Sequence, residues 1–334
     1  MKTDCSCLSN RLGCIAPVYR RFLGAAIVAL GGLSAGAAAA QADLLCVLVP
    51  HFKDEYWLSV AYGLEQRAAE LGLSLRFFEA GGYDALQTQV TQLSECADLD
   101  PGAILIGAVS SDAPALLVAL DRAAEAHPVI GLVNELHSDA LVARIGVDWA
   151  EMGRLLGQSL AARFPAGGPM QQAILLSGPA EAGWVAPTEQ GLRAGLDGSA
   201  ITITATYGAD TGTAEQLRLL EQAWAEHPQT DLVIGSAPAI EGAMALFRAA
   251  PNPPALAATY MSHSVARGLV GGKVLAAPFD DPIEQGRLAV DAAHRAIAGS
   301  LGQPQIGPQI TVFTAGIAAE GLSLSPSNYF PDLD

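Results

Sequence analysis

The chain has 334 residues, 51% of them hydrophobic and 16% charged, with a formal net charge of −16. That length can bury a large core, and the apolar, low-charge composition excludes an intrinsically disordered protein. The acidic balance also argues against a nucleic-acid partner, which needs basic patches.

The first forty or so residues read as a leader rather than as part of the fold. Arg20 and Arg21 precede an apolar, small-residue run from Phe22 to Ala40, and Ala40-Gln-Ala42 supplies a cleavage pattern ahead of Asp43. This is the layout of a secretory signal peptide over 1–42, and it predicts export to the periplasm. The leader carries Lys2, Arg11, Arg20 and Arg21 against Asp4, a net +3, so its removal leaves a mature chain near −19. Cys5, Cys7 and Cys14 leave with it. Cys46 and Cys96 remain, and in an exported protein they form either one disulfide or two buried free thiols.

From residue 44 onward, short apolar runs alternate with helical spacing. Strands are predicted at Leu44–Val49, Leu73–Phe78, Ala103–Ile106, Val129–Val133 and Leu141–Val147. Helices are predicted between them at Tyr56–Leu71, Ala85–Ala97 and Ala113–Ala126, followed by one at Ala150–Phe164. After Pro165-Ala-Gly-Gly-Pro169 the alternation restarts. Strands at Ala173–Leu176, Ile201–Thr206, Leu232–Ile234, Ala255–Thr259 and Lys273–Ala277 enclose helices at Pro187–Leu196, Thr213–Glu226, Ile240–Ala249 and Ser264–Leu269. A longer helix at Pro282–Ala298 and a strand at Ile310–Phe313 follow, then a loop-like tail from Ala315. A βαβα order implies parallel sheets with helices on both faces. The expected fold is α/β: two doubly wound parallel-sheet lobes with a ligand cleft between them. The expected lobes are 43–148 plus about 280–308, and 149–279 plus about 309–318, with a tail at 319–334.

Catalytic signatures are thin. The chain has no Gly-x-Ser-x-Gly elbow, no HExxH and no Walker lysine pattern. Gly268-Leu-Val-Gly-Gly-Lys273 lacks the Ser/Thr after lysine and a feeding strand, so it reads as a turn. Neither an enzyme nor a cofactor or metal is expected. His127 and His227 sit at helix ends, whereas His51 and His263 fall in crevice loops.

The aromatics carry more information. Only four residues are tryptophan. Trp57, Trp149 and Trp184 follow strand-like runs, and Tyr83 and Tyr260 repeat the pattern, whereas Trp224 lies within a helix and reads as core. In an open α/β sheet the loops after the strands line the ligand crevice. Each ring alone could simply pack a core; together they suit a small methylated, cation-like ligand. Asp54, Asp148 and Asp280 also fall at strand ends, where a carboxylate can serve a ligand or cap a helix. The following helix makes capping a good account of Asp148.

At these residues the sequence resembles the type I periplasmic binding proteins, the ribose-binding-protein superfamily. Phe279-Asp-Asp-Pro-Ile-Glu-Gln-Gly286 resembles the segment where that family's chain returns to its first lobe. More narrowly, the chain is similar to the periplasmic sensors of trimethylamine N-oxide respiration. The matching stretches are Pro50-His-Phe-Lys-Asp-Glu-Tyr-Trp-Leu-Ser59, Glu79-Ala-Gly-Gly-Tyr83, Val147-Asp-Trp149, Gly235-Ser-Ala237, Tyr260-Met-Ser-His263, Gly272-Lys-Val-Leu-Ala-Ala-Pro278 and Ser323-Leu-Ser-Pro-Ser-Asn-Tyr329. Cys46 and Cys96 also match.

The resemblance implies a solute-binding protein that takes trimethylamine N-oxide and docks on the periplasmic domain of a membrane histidine kinase, in a two-component system. It implies a pocket lined by Trp57, Tyr83, Trp149 and Tyr260, with Tyr56, Asp54 and Asp148 next. Sugar-binding relatives tend to carry arginines at the start of the first helix of the second lobe, but Pro187-Thr-Glu-Gln-Gly-Leu-Arg193 has none at those points. Trp184 stands where the family is more often small and polar, which opens the ligand to related amine oxides or methylated amines. The alternative is the receptor of an ABC transporter for a sugar or small methylated amine.

Overall fold

The computed structural model describes residues 44–300, 305–316 and 322–333. The expected leader over 1–42 lies outside them. Among the described residues no helix is long and apolar enough to cross a membrane.

Six strands form the first sheet: β1 (Leu44–Val49), β2 (Ser74–Glu79), β3 (Ala103–Ile106), β4 (Val129–Leu132), β5 (Leu141–Ile145) and β11 (Gln305–Ile306). Their order is β11-β5-β4-β3-β1-β2, and every pairing is parallel. Because side chains alternate across a strand, the apolar run of β1 serves two cores. Leu45, Val47 and Val49 face one side, packed in the cluster that holds Val60 and Leu64 of α1 (Glu55–Leu71) and Val290 of α9 (Pro282–Ile297). Cys46 and Leu48 face the other, against α2 (Leu86–Asp98) and α3 (Pro114–Ala124).

The second sheet contains β6 (Gln171–Ser177), β7 (Ile201–Gly208), β8 (Leu232–Gly235) and β9 (Ala255–Ala258), in the parallel order β7-β6-β8-β9. Its helices are α4 (Trp149–Arg163), α5 (Val185–Gly195), α6 (Thr213–Glu226), α7 (Ala237–Leu246) and α8 (His263–Val270). β10 (Ala276–Phe279) and β12 (Thr311–Thr314) form an antiparallel pair.

Every predicted element is present, with shifts that have local causes. The strand expected over Lys273–Ala277 begins at Ala276, because the N–H groups of Lys273 and Val274 turn back to the Gly268 carbonyl at the end of α8. The Gly268–Lys273 segment is thus a turn, with Gly272 at φ 68°. α7 starts three residues early because the Ser236 hydroxyl accepts from Ala239 N–H. Two-residue β11 was not foreseen; so short a run has no readable period.

Cys46 and Cys96 are buried free thiols, so the disulfide alternative is not realised. The Cys46 thiol donates to the Cys96 carbonyl at 3.7 Å. Its bonding to the Cys96 sulfur, together with burial, pushes the Cys96 thiol up.

Helices α4 and α5 meet through glycine on both sides. A Cβ on Gly191 would lie 1.8 Å from the Ala150 carbonyl oxygen, and one on Gly153 would lie 2.0 Å from that of Thr188. No rotamer change relieves a clash with backbone, so the helices must separate to admit a methyl group. Gly191→Ala should therefore destabilise the protein by roughly 1–3 kcal/mol. A lowered thermal midpoint relative to the parent checks this; an unchanged midpoint contradicts it.

Candidate ligand-binding site

The carboxyl ends of the parallel strands converge on one cavity. It is lined by Asp54, Tyr56, Trp57, Tyr83, Val133, Asn134, Trp149, Trp184, Thr211 and Tyr260. The loop after β1 brings Asp54 and the start of α1, where Tyr56 and Trp57 follow. The loop after β2 brings Tyr83, and the end of β4 leads into Val133 and Asn134. Trp149 opens α4, Trp184 precedes α5, Thr211 follows β7 and Tyr260 follows β9. The cavity volume is about 280 Å³. That is below the usual range of small-molecule pockets, so the cavity suits a ligand of few heavy atoms.

The rings form a continuous wall. Tyr56 and Tyr260 meet edge to face at 5.5 Å, and Trp184 and Tyr260 at 5.9 Å. Trp149 and Trp184 are tilted at 5.8 Å, and Tyr83 meets Trp184 at 6.5 Å. Such faces present negative quadrupoles to a positively polarised ligand.

The polar atoms are fixed with equal care. Trp149 Nε1 donates to the Val133 carbonyl at 3.1 Å. Val133 has φ 64°, a left-handed conformation that is costly for a β-branched residue. Tyr83 Oη accepts from Asn134 Nδ2 and Trp184 Nε1, each at 3.2 Å. Burial pushes the Tyr83 phenol up to about 12, opposed by N–H groups of Asn134, Trp57 and Trp184.

Two carboxylates are fully enclosed. Asp54 caps α1, Oδ1 accepting from Tyr56 N–H at 3.0 Å, while Oδ2 accepts from the Tyr260 hydroxyl at 2.5 Å. Burial raises Asp54 to about 6, opposed by the Tyr260 hydrogen bond. Asp280 Oδ2 accepts from the Tyr56 hydroxyl at 2.7 Å and from Gln285 Nε2 at 2.8 Å. Burial raises it to about 6 as well, opposed by those two donors. At neutral pH the aromatic wall therefore carries one carboxylate, Asp54, with Asp280 behind Tyr56.

Of the residues expected to bind, Trp57, Tyr83, Trp149, Tyr260, Tyr56 and Asp54 come together here. Asp148 does not. Its exposed side chain turns back to accept from the N–H groups of Ala150 and Glu151 at 2.9 and 3.1 Å, capping α4, and it borders a separate groove with Glu151 and Gln305. His51 and His263 also stay outside the lining. His51 is fully buried, its Nε2 3.0 Å from Thr211 Oγ1 and 3.2 Å from Asp210 Oδ1, and its ring is edge-on to Tyr83. His263 Nε2 donates to the Ser325 carbonyl at 2.6 Å in the tail. Trp224 packs on Phe247 at 4.6 Å, away from the cavity.

Trp184, Asn134, Val133 and Thr211 line the cavity although the expected set omits them. Trp184 carries the same signal as the other loop tryptophans. Asn134, Val133 and Thr211 sit at strand ends with no distinguishing pattern.

Against this geometry, the sequence of residues 45–301 matches the family model for a periplasmic binding protein domain. The chain belongs to that family. The periplasmic protein TorT of Escherichia coli K12 is 36% identical over 296 residues, covering 88% of this chain and 85% of its own. Among solved structures, TorT in complex with the TorS sensor domain in the presence of TMAO matches with a TM-score of 0.76 and 34% identity, covering 86% and 99% of the two chains. An ABC transporter solute-binding protein from Bradyrhizobium, solved with bound bis-tris, matches with a TM-score of 0.72 and 35% identity over 87% and 89%. Sugar-bound periplasmic binding proteins, such as one from Agrobacterium radiobacter with D-arabinose, share the fold at 18% identity and a TM-score of 0.74.

Both raised carboxylates give a pH dependence with a definite sign. A folded pKa above the unfolded one means that the native state binds the proton more tightly. The stabilisation is complete below about pH 4 and is lost as pH rises through about 6. Asp280→Asn mimics the protonated form while keeping an acceptor for Tyr56. The stability of the variant relative to the parent should rise between pH 4 and pH 7 by up to about 3 kcal/mol. Denaturant melts across that range check it; a difference that does not vary with pH contradicts it.

Proposed function

We propose that this protein is an exported sensor that captures trimethylamine N-oxide in the aromatic cavity and reports it to the periplasmic domain of a membrane histidine kinase. It binds and signals rather than catalyses. The observation that carries the reading is the cage itself: six aromatic side chains and one buried carboxylate around a space sized for a few heavy atoms. Trimethylamine N-oxide has three methyls on a positively polarised nitrogen and a single strong acceptor oxygen. The methyls meet ring faces, at roughly 0.5–2 kcal/mol per favourable contact. The Asp54 carboxylate complements the nitrogen, and the oxygen takes the Tyr83 hydroxyl. Similarity to TorT, whose complexes with the TorS sensor domain are solved with and without TMAO, supports both ligand and partner.

In this reading residues 1–42 are a cleaved signal peptide. The first lobe is 43–148 plus about 280–308, the second is 149–279 plus about 309–318, and 319–334 are a tail. The parallel pairing of β11 with β5, the packing of α9 on α1 and the pairing of β12 with β10 support those boundaries. The ligand closes the lobes around the cage, and the kinase reads the closed surface, a shift between conformers.

A second reading, the receptor of an ABC transporter for a small amine, is favoured by the 35% identity to a transporter solute-binding protein solved with bis-tris, itself a tertiary amine.

Isothermal titration of the mature protein with trimethylamine N-oxide, alone and with the kinase periplasmic domain, tests the proposal. Binding should occur, and Trp57→Ala or Trp149→Ala should weaken it by about tenfold or more. Ribose should give no heat. Binding of ribose without binding of the oxide would overturn the sensor.

A further inference from the structure

Tyr83 is the cavity residue whose hydrogen bonding is most constrained. A phenol has one proton to give and an oxygen that accepts up to two hydrogen bonds. Both acceptor positions are taken, by Asn134 Nδ2 and by Trp184 Nε1, each at 3.2 Å, and the Trp57 N–H also bears on the same oxygen. The orientation of the Asn134 amide is not free, because the same nitrogen donates to the Ala108 carbonyl at 2.8 Å. Trp184 Nε1 is an indole N–H and can only donate. Among the described residues, no side chain or carbonyl accepts the Tyr83 proton, although Tyr83 is buried. That proton is therefore left for the space that Tyr83 lines.

Several other polar groups on the wall have partners within the protein. Asp54 accepts from the Tyr56 N–H and the Tyr260 hydroxyl, and Trp149 Nε1 is bound to the Val133 carbonyl. We infer that Trp184, with Asn134, sets the polarity of the Tyr83 hydroxyl, holding it as a donor, so that the cavity selects a methylated amine bearing an acceptor oxygen over the protonated amine without one. Trp184 is on this account a specificity-determining residue that acts through Tyr83. The inference rests on the functional reading above, and it assigns a role to the residue in which the cage departs from its family pattern. Its reach into the other half is built into the backbone. The preceding Gly183 sits so close to the first-half loops that an added Cβ would lie 2.7 Å from the Glu135 carbonyl oxygen and from Ser111 Cβ.

An oxide and a protonated amine make opposite demands on Tyr83. The oxide oxygen accepts its proton. Trimethylammonium carries an N–H that needs an acceptor, and a Tyr83 oxygen filled by two N–H donors offers none. A buried donor or acceptor left unpaired weakens binding.

The test is the ratio of the dissociation constants of trimethylammonium and trimethylamine N-oxide, titrated at neutral pH into the mature protein and its variants. Trp184→Phe keeps an aromatic wall and removes the N–H, whereas Trp184→Ala removes both. The parent should prefer the oxide, and Trp184→Phe should shrink that preference by about tenfold. Trp184→Ala should weaken both ligands. Tyr83→Phe should abolish the preference, and Tyr83→Phe/Trp184→Phe should equal Tyr83→Phe alone, because the effect of Trp184 passes through the hydroxyl. Native circular dichroism and melting of each variant exclude unfolding as the cause. An unchanged ratio in folded Trp184→Phe, with the oxide still bound, overturns this inference alone. Failure of the parent to bind the oxide overturns the functional reading, and this inference with it.

Discussion

The hydrogen bond from the Tyr260 hydroxyl to Asp54 Oδ2 joins the two sheet systems at the point where the ligand would lie. Asp54 caps the first helix after β1, and Tyr260 follows β9 of the second sheet. Both partners are buried, so the contact exists only when the carboxyl ends of the two sheets face each other closely. Once it forms, the Tyr260 ring meets Tyr56 on one side and Trp184 on the other. A wall of six aromatic rings and one carboxylate thus depends on a single short contact between distant parts of the chain. Burial works against the charge of Asp54, and its bonds with Tyr260 and Tyr56 N–H offset that cost. A positively polarised ligand beside it would offset more.

A second layer holds this one in place. Tyr56 is fixed by Asp280 and Gln285 at the start of α9, and Tyr83 by Asn134 and Trp184. His51 and Thr211 bridge the loops after β1 and β7. The strained backbone at Val133 fits the same logic, since its carbonyl orients the Trp149 indole. Tyr56, Tyr83, Trp149, Trp184 and Tyr260 are held at their polar ends, which leaves the ring faces for methyl groups.

Much of this was legible in the sequence, for identifiable reasons. The parallel strands show as short continuous apolar runs because they are buried on both faces. Loops after such strands line the crevice by topology. That rule pointed to Trp57, Tyr83, Trp149, Trp184 and Tyr260 together, and the family resemblance narrowed the expected pocket to four of them. It failed for Asp148, which has the same position in the pattern. Whether a carboxylate at a strand end caps its own helix or faces a ligand depends on a single torsion, which periodicity does not encode. Asn134 and Thr211 were invisible because a lone polar residue after a strand has no distinguishing spacing. The Cys46–Cys96 pair posed a similar problem: proximity follows from the fold, and the bond between them does not.

Recognition of this kind requires the ligand to lie inside the cage with its oxygen on Tyr83. A crystal structure of the mature protein grown with trimethylamine N-oxide addresses that directly. One compact ligand should appear enclosed by Trp57, Trp149, Trp184 and Tyr260, its oxygen about 2.7 Å from Tyr83 Oη. A ligand bound elsewhere, with the cage empty, or an oxygen turned away from Tyr83, would contradict it.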